Sequence, residues 1–246
     1  MKIGSVFPAR RLAAIGAAVC TLTVALSSIA GSAGAASARP GRDSVPPPTP
    51  AFEHPSLSVV SSSSDHDAQL VFDAGANVPF TSLRLSAPDG RRVLIASFRD
   101  SKRLGQSKLL IETPEPTVAA LETAYPSGRY HLVGTTTDGR RISSSVALSY
   151  DVLSAPVIAT PSRDATGIPV AGSTFTWESV PGAVTVHLEV ETIDERSALK
   201  VDLPGTATSF VVPAGFLHAG AKYTFDVKAV GSNGNLSVTD LTFTTG

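Results

Sequence analysis

The sequence predicts an all-β fold: two tandem β-sandwich modules that follow an export signal and a proline-rich spacer. Three observations carry it. Apolar and polar residues alternate with period two through many short runs, the runs are separated by Gly, Pro, Asn and Asp turn signals, and the only cysteine of the chain is Cys20. Period-two alternation buries one face of a strand and wets the other, as antiparallel sheet does, and two such sheets must cover each other's apolar faces. With no later cysteine, disulfides, Cys-bound zinc and thiol nucleophiles are all excluded from residues 39–246. Each module must then be held by its apolar core alone, which takes about 80 residues or more. Residues 39–246 therefore have room for two modules and not four.

Residues 1–38 read as a signal peptide. Lys2, Arg10 and Arg11 form a positive start, Leu12 to Ala30 is apolar or small, and "GSAGAASA" offers small residues for cleavage after Ala38 or after Ala35. A membrane-spanning helix needs about 20 strongly apolar residues, and Ser, Thr and Gly dilute this stretch. Membrane contact is thus expected only through the cleaved signal, and the product is expected to be periplasmic or extracellular. The Arg10-Arg11 pair lacks the bulky apolar residues that follow a twin-arginine signal. Val19 stands where a lipidated cysteine would need a small residue. Residues 39–56, "RPGRDSVPPPTPAFEHPS", carry six prolines and read as a disordered or polyproline-like linker.

The first module is expected over 57–153. "LSVV", "AQLVFDA", "SLRLSA", "RRVLIAS", "SKLLIE", "YHLVGTT" and "ISSSVALSY" are its candidate strands. "PDGR" (88–91) and "TDGR" (137–140) lie between alternating runs, and Asp-Gly tolerates positive φ at both central positions, so each predicts a hairpin. "EPTVAALETAYPSG" (115–128) spaces Val118, Leu121 and Tyr125 for two helical turns. "LSAPVIATPSR" (153–163) reads as a short proline-bearing junction that restricts swing between two modules set end to end.

The second module, 154–246, has the clearer pattern. Phe175 and Trp177 face one way, and after Pro181-Gly182 the residues Val184, Val186, Leu188 and Val190 alternate with Thr185, His187, Glu189 and Glu191. "TSFVV", "YTFDVKAV" and "LTFTT" follow. With its proline-rich start, Trp177 in a strand, "VPGA" before an alternating run and Leu217 six residues before Tyr223, this stretch resembles a fibronectin type III domain. The resemblance implies that Tyr223 turns its hydroxyl back to upstream backbone while its ring packs. Ala219 and Ala221 stand where that family usually has Pro and Thr, and Val186 where an aromatic is common. "PSGRYHLVGTTTDG" (126–139) echoes "HAGAKYTFDVKAVGSNG" (218–234), so the first module is read as a diverged immunoglobulin-like or fibronectin III-like relative, with Tyr130 in the place of Tyr223.

Chemistry is sparse. Trp177 shares its face with Phe175 and is assigned to the core with Leu217, Tyr223 and Tyr130. His54, His66, His131, His187 and His218 include no metal-ligand spacing, and Asp65 and Asp67 around His66 belong to a solvated loop. His187, Glu189 and Glu191 form a row on the wet face. No nucleophile elbow, Ser-x-x-Lys, Walker or dinucleotide fingerprint occurs. "NLS" at Asn235 is a glycosylation sequon expected to go unused. No catalytic residue, metal or cofactor is expected.

Without Lys2, Arg10 and Arg11, 17 of the 20 Lys+Arg remain against 21 Asp+Glu, a net of −4. That balance gives no footprint for nucleic acid. The remaining basic feature is "FRDSKRLGQSK" (98–108), where Arg99, Lys102, Arg103 and Lys108 form a candidate partner-binding loop. The expectation is an exported, monomeric, non-catalytic binding or spacer protein that contacts an unidentified protein or envelope polymer through loops and edge strands. The alternative is a carbohydrate-binding accessory protein of the cell envelope or of a secreted hydrolase system, which would need an exposed aromatic platform.

Overall fold

The computed structural model describes residues 49–98 and 104–246. The expected signal peptide and most of the expected linker lie outside the described residues. Strand β1 (Phe52–Ser62) begins within the stretch read as linker, pairing Phe52 with Ala76. The register slips between Glu53 and Ser56, where His54 has φ 47° and Pro55 has no N–H to donate, so the proline sits at a bulge.

β2 (Asp67–Ser86) is one strand of 20 residues where two were expected. Its first half pairs with β1 and with β4 (Gln106–Glu112). Its second half pairs with β3 (Arg92–Ser97) and β5 (Gly128–Thr136), and β5 pairs in turn with β6 (Arg141–Leu148). The changeover falls where the register shifts between Gly75 and Phe80, around Pro79. A strand that bends at such a point can serve both sheets of a sandwich. Between the sheets lies a core that includes Leu57, Val59, Phe72, Phe80, Leu83 and Tyr130. The expected helix is α1 (Val118–Ala124), capped by the Thr117 hydroxyl accepting from the Ala120 N–H at 3.4 Å and anchored by buried Leu121.

Both Asp-Gly stretches close hairpins, though by a different turn from the one expected. The Gly90 N–H donates to Ala87 O and the Ala87 N–H to Arg91 O; the Gly139 N–H donates to Thr136 O and the Thr136 N–H to Arg140 O. Only the glycines have positive φ, 82° and 85°. Each is a type I turn closed by a glycine bulge, because the aspartate stays right-handed and uses its carboxylate to accept from the N–H two residues on. "GSNGN" (231–235) repeats the arrangement with Gly234 at φ 82°.

The second module contains β7 (Ile158–Thr160), β8 (Ala165–Ile168), β9 (Thr174–Trp177), β10 (Ala183–Thr192), β11 (Ala198–Pro204), β12 (Ser209–Val211), β13 (Lys222–Gly231) and β14 (Leu236–Thr245). One sheet is ordered β12-β9-β7, and the other runs β11-β10-β13-β14 with β8 on the β14 edge. Phe175 binds the two layers, its ring centroid 4.8 Å from Phe225 and 5.2 Å from Phe243. Val186, Leu188 and Val190 are buried as the alternation requires, but Val184 is exposed, on the strand end where the β10–β13 register shifts between Ala183 and Thr185.

The modules meet through backbone. β1 lies parallel to β14, with Val60 opposite Leu236 and Ser62 opposite Val238. Asn235, 2% exposed, clamps the start of this ladder. Its Oδ1 accepts from the Val59 N–H at 2.9 Å, and its Nδ2 donates to Ser149 O at 2.8 Å and to Asp151 O at 3.1 Å. The Ser63 N–H donates to Val238 O, and Arg163 Nη2 to Asp240 O at 2.7 Å. The described residues accordingly belong to one compact unit. With both ends of its amide engaged, Asn235 offers no free nitrogen for a glycan.

Candidate functional site

Trp177 is 3% exposed and packs with Phe175, Leu217 and Tyr223 in the second core. Its indole N–H has no hydrogen-bond acceptor among the described residues, a cost accepted where the largest side chain fills the space between the sheets. Tyr223 accepts from the His218 N–H at 2.9 Å and donates to Phe216 O at 3.5 Å. Tyr130 donates to Pro126 O at 3.0 Å, and burial pushes its phenol up to about 12. Both rings are fully buried at matching positions, on the strand that leads into a glycine-bulge hairpin.

Of the basic loop, Arg99, Lys102 and Arg103 lie outside the described residues. Lys108 lies on β4 and pairs with Asp73 of β2 at 2.9 Å. His66 caps the β1–β2 turn at φ 60°, exposed, while Asp65 accepts from the Ser62 hydroxyl. Burial raises the Asp67 carboxyl, with Glu115 and Asp65 adding to the shift. No group of three His, Cys, Asp or Glu residues is placed to hold a metal among the described residues.

The row His187, Glu189, Glu191 is not uniformly wet. His187 meets Asp202 of β11 at 2.5 Å. Glu189, expected on the solvated face, is 5% exposed in its side chain, flanked by Lys228 of β13 at 2.8 Å and Lys200 of β11 at 2.6 Å. Two lysines from the neighbouring strands hold its carboxyl below the ordinary range against the cost of burial. Lys228 also reaches Asp226 at 3.5 Å. Burial pushes Asp226 up to about 6, and Asp240 directly opposite on β14 adds to the shift. This buried ion network is internally compensated and leaves no cation over for a ligand.

The most distinct surface is one that the overall charge balance conceals. On the outer face of the β3-β2-β5-β6 sheet each strand contributes one exposed arginine: Arg92, Arg84, Arg129 and Arg141. A shallow groove of about 690 Å³ runs between Arg84 and Arg141, floored by Ser86, His131, Ser143 and Ser145. The count of 12 Lys+Arg against 12 Asp+Glu over 39–153 hid it. Strand alternation alone places Arg84, Arg129 and Arg141 opposite the core, and that signal was available in the sequence.

No family model matches the chain, and no curated protein matches it. Solved structures do. The chain is 15% identical to a tetra-tandem repeat in the extending region of a large adhesion protein, covering 80% of this chain and half of that one, with a TM-score of 0.29. It is 12% identical to a two-domain fibronectin type III segment of chicken tenascin (78% and 99% covered, TM-score 0.30). It is 11% identical to fibronectin(III)-like modules of Clostridium thermocellum CbhA (80% and 94% covered, TM-score 0.32). Its structural neighbours are thus fibronectin type III modules and tandem repeats; the all-β sandwich architecture itself is read from the strand pairing described above.

Proposed function

We propose that this chain is an exported, non-catalytic binding and spacer protein whose two sandwiches act as a single rigid body. The junction carries this reading. A spacer that transmits position needs its modules locked, and a hydrogen-bonded strand ladder with a buried clamp at Asn235 supplies that where a proline linker alone leaves limited swing. Sandwich faces and edges then present contacts in a fixed arrangement, which reduces the ordering cost on binding.

Backbone ¹⁵N relaxation tests the rigid-body part. The expected result is one rotational correlation time for residues 57–153 and 154–246. Two distinct correlation times, each fitting a module of half the mass, would refute it.

A further inference from the structure

We propose that the outer face of the β3-β2-β5-β6 sheet docks a linear acidic polysaccharide, its carboxylates seated on Arg84, Arg92, Arg129 and Arg141. This assignment deepens the binding reading above and rests on it. No aspartate, glutamate or lysine occurs in residues 80–86, 92–97, 128–136 or 141–148, the segments that build this sheet. Asp89 and Asp138 sit on the hairpin tips beyond it and are taken by Arg91 and Arg140. No ion pair involves the four face arginines among the described residues, and Arg129 only donates to the Ser145 hydroxyl at 3.0 Å. Six other cations, Arg91, Lys108, Arg140, Arg196, Lys200 and Lys228, each meet a carboxylate. An unpaired, one-signed set on four adjacent strands is therefore a local field rather than a scatter of surface charge.

Registry sets its layout. Arg92 lies opposite Ser86, Ser86 opposite His131 and His131 opposite Ser145, forming one row across the sheet. Arg84 lies opposite Val133, and Thr135 opposite Arg141. With strands about 4.8 Å apart and residues about 3.3 Å apart along them, the four arginines spread over roughly 14 Å across the sheet and roughly 20 Å along it, which suits an extended polymer and not a single small anion.

Side-chain chemistry narrows the class. Guanidinium forks match planar carboxylates bidentately, and every face cation is arginine rather than lysine. The serine and threonine hydroxyls between them can donate to and accept from sugar hydroxyls. The four strands expose no Phe, Tyr or Trp ring on this face, so the stacking platform that single-stranded nucleic acid or a neutral sugar uses is missing, and an acidic glycan is held here by its carboxylates and hydroxyls rather than by stacking.

Affinity electrophoresis of the protein in gels containing alginate tests the proposal, with neutral dextran, inorganic polyphosphate and single-stranded DNA as parallel arms. The expected result is retardation in alginate, absent in dextran, that fades as salt rises. The triple variant Arg84→Gln, Arg92→Gln, Arg141→Gln loses at least tenfold in affinity while keeping the wild-type thermal midpoint. His131→Glu places a carboxylate mid-face with every arginine retained and weakens binding comparably, whereas Arg163→Gln, at the junction, leaves it unchanged. Equal retardation in alginate and dextran, an unaffected triple variant, or tighter binding to DNA or polyphosphate than to alginate would each overturn the assignment. If alginate fails while both modules share one correlation time, this face falls and the spacer reading stands. If alginate is retained while the modules show two correlation times, the rigid spacer falls and the polysaccharide face stands.

Discussion

Tyr130 and Tyr223 show how one side chain pins a sandwich corner. Each ring is fully buried and each hydroxyl turns to backbone upstream, but only Tyr223 also satisfies an N–H, that of His218. Tyr223→Phe strands that donor and is expected to cost about 2 kcal/mol, against about 1 kcal/mol for Tyr130→Phe, which frees only a carbonyl. Urea midpoints at unchanged m-value measure both. Equal costs would mean that the His218 N–H finds another partner. Asp226 makes a pH-dependent case. Its carboxyl is pushed from 3.8 to about 6 by burial, so between those values the folded protein holds a proton that the unfolded chain releases. Its ionisation therefore imposes a cost in stability that is absent below about 4, grows as pH rises from about 4 to about 6 and is complete above about 6. Asp226→Asn is expected to be more stable than wild type at pH 8, by something on the order of 2 kcal/mol, with the gain vanishing near pH 4. Thermal melts across that range decide it, and a variant less stable at pH 8 than at pH 4, relative to wild type, contradicts the burial argument. Tyr223 was signalled by its spacing from Leu217, and Tyr130 by the echo of residues 218–234 in 126–139. The burial of Glu189 was not, because period-two alternation assigns a face without saying which neighbours will lie across it.

The strands and turns divide along the same line. Gly90, Gly139 and Gly234 all adopt positive φ at hairpin bulges, and a Cβ added to any of them meets nothing within 4 Å. Alanine at each is expected to cost only the left-handed penalty, about 1 kcal/mol. Gly205, after β11, differs: an added Cβ would come within 2.0 Å of Ala183 O. Gly205→Ala has to displace backbone of the β10–β11 hairpin and is expected to cost about 3 kcal/mol. Denaturation midpoints that rank Gly205→Ala among the bulge variants would show that the hairpin gives way easily. Asp-Gly signals located two of these turns but predicted positive φ at the aspartate. The carboxylate's bond to the N–H two residues on stabilises the right-handed alternative. β11 is weakly signalled: Leu199, Val201 and Leu203 alternate, but Lys200 and Asp202 break the apolar run and no aromatic marks the strand. β2 reads as two strands divided at Asn77 and Pro79, where turn-like residues mark a bend that changes sheets without ending the strand.

The two-sandwich architecture was readable from composition, alternation and the lack of cysteine after Cys20. Their union was not, because parallel pairing of β1 with β14 brings together residues some 176 apart in sequence, and no local pattern encodes such a contact. Asn235 looked like a sequon and is instead the clamp. Asn235→Ala strands the Val59 N–H and the carbonyls of Ser149 and Asp151, and is expected to cost about 3 kcal/mol at the junction. The arginine face was likewise hidden by the balance of 12 against 12 over 39–153, because net charge sums over both faces of a strand although alternation separates them. Calorimetric unfolding of the wild-type protein probes the locked junction most directly. A single transition with equal calorimetric and van 't Hoff enthalpies is expected, splitting into two in Asn235→Ala. Two resolved transitions in the wild type, unchanged by Asn235→Ala, would contradict it.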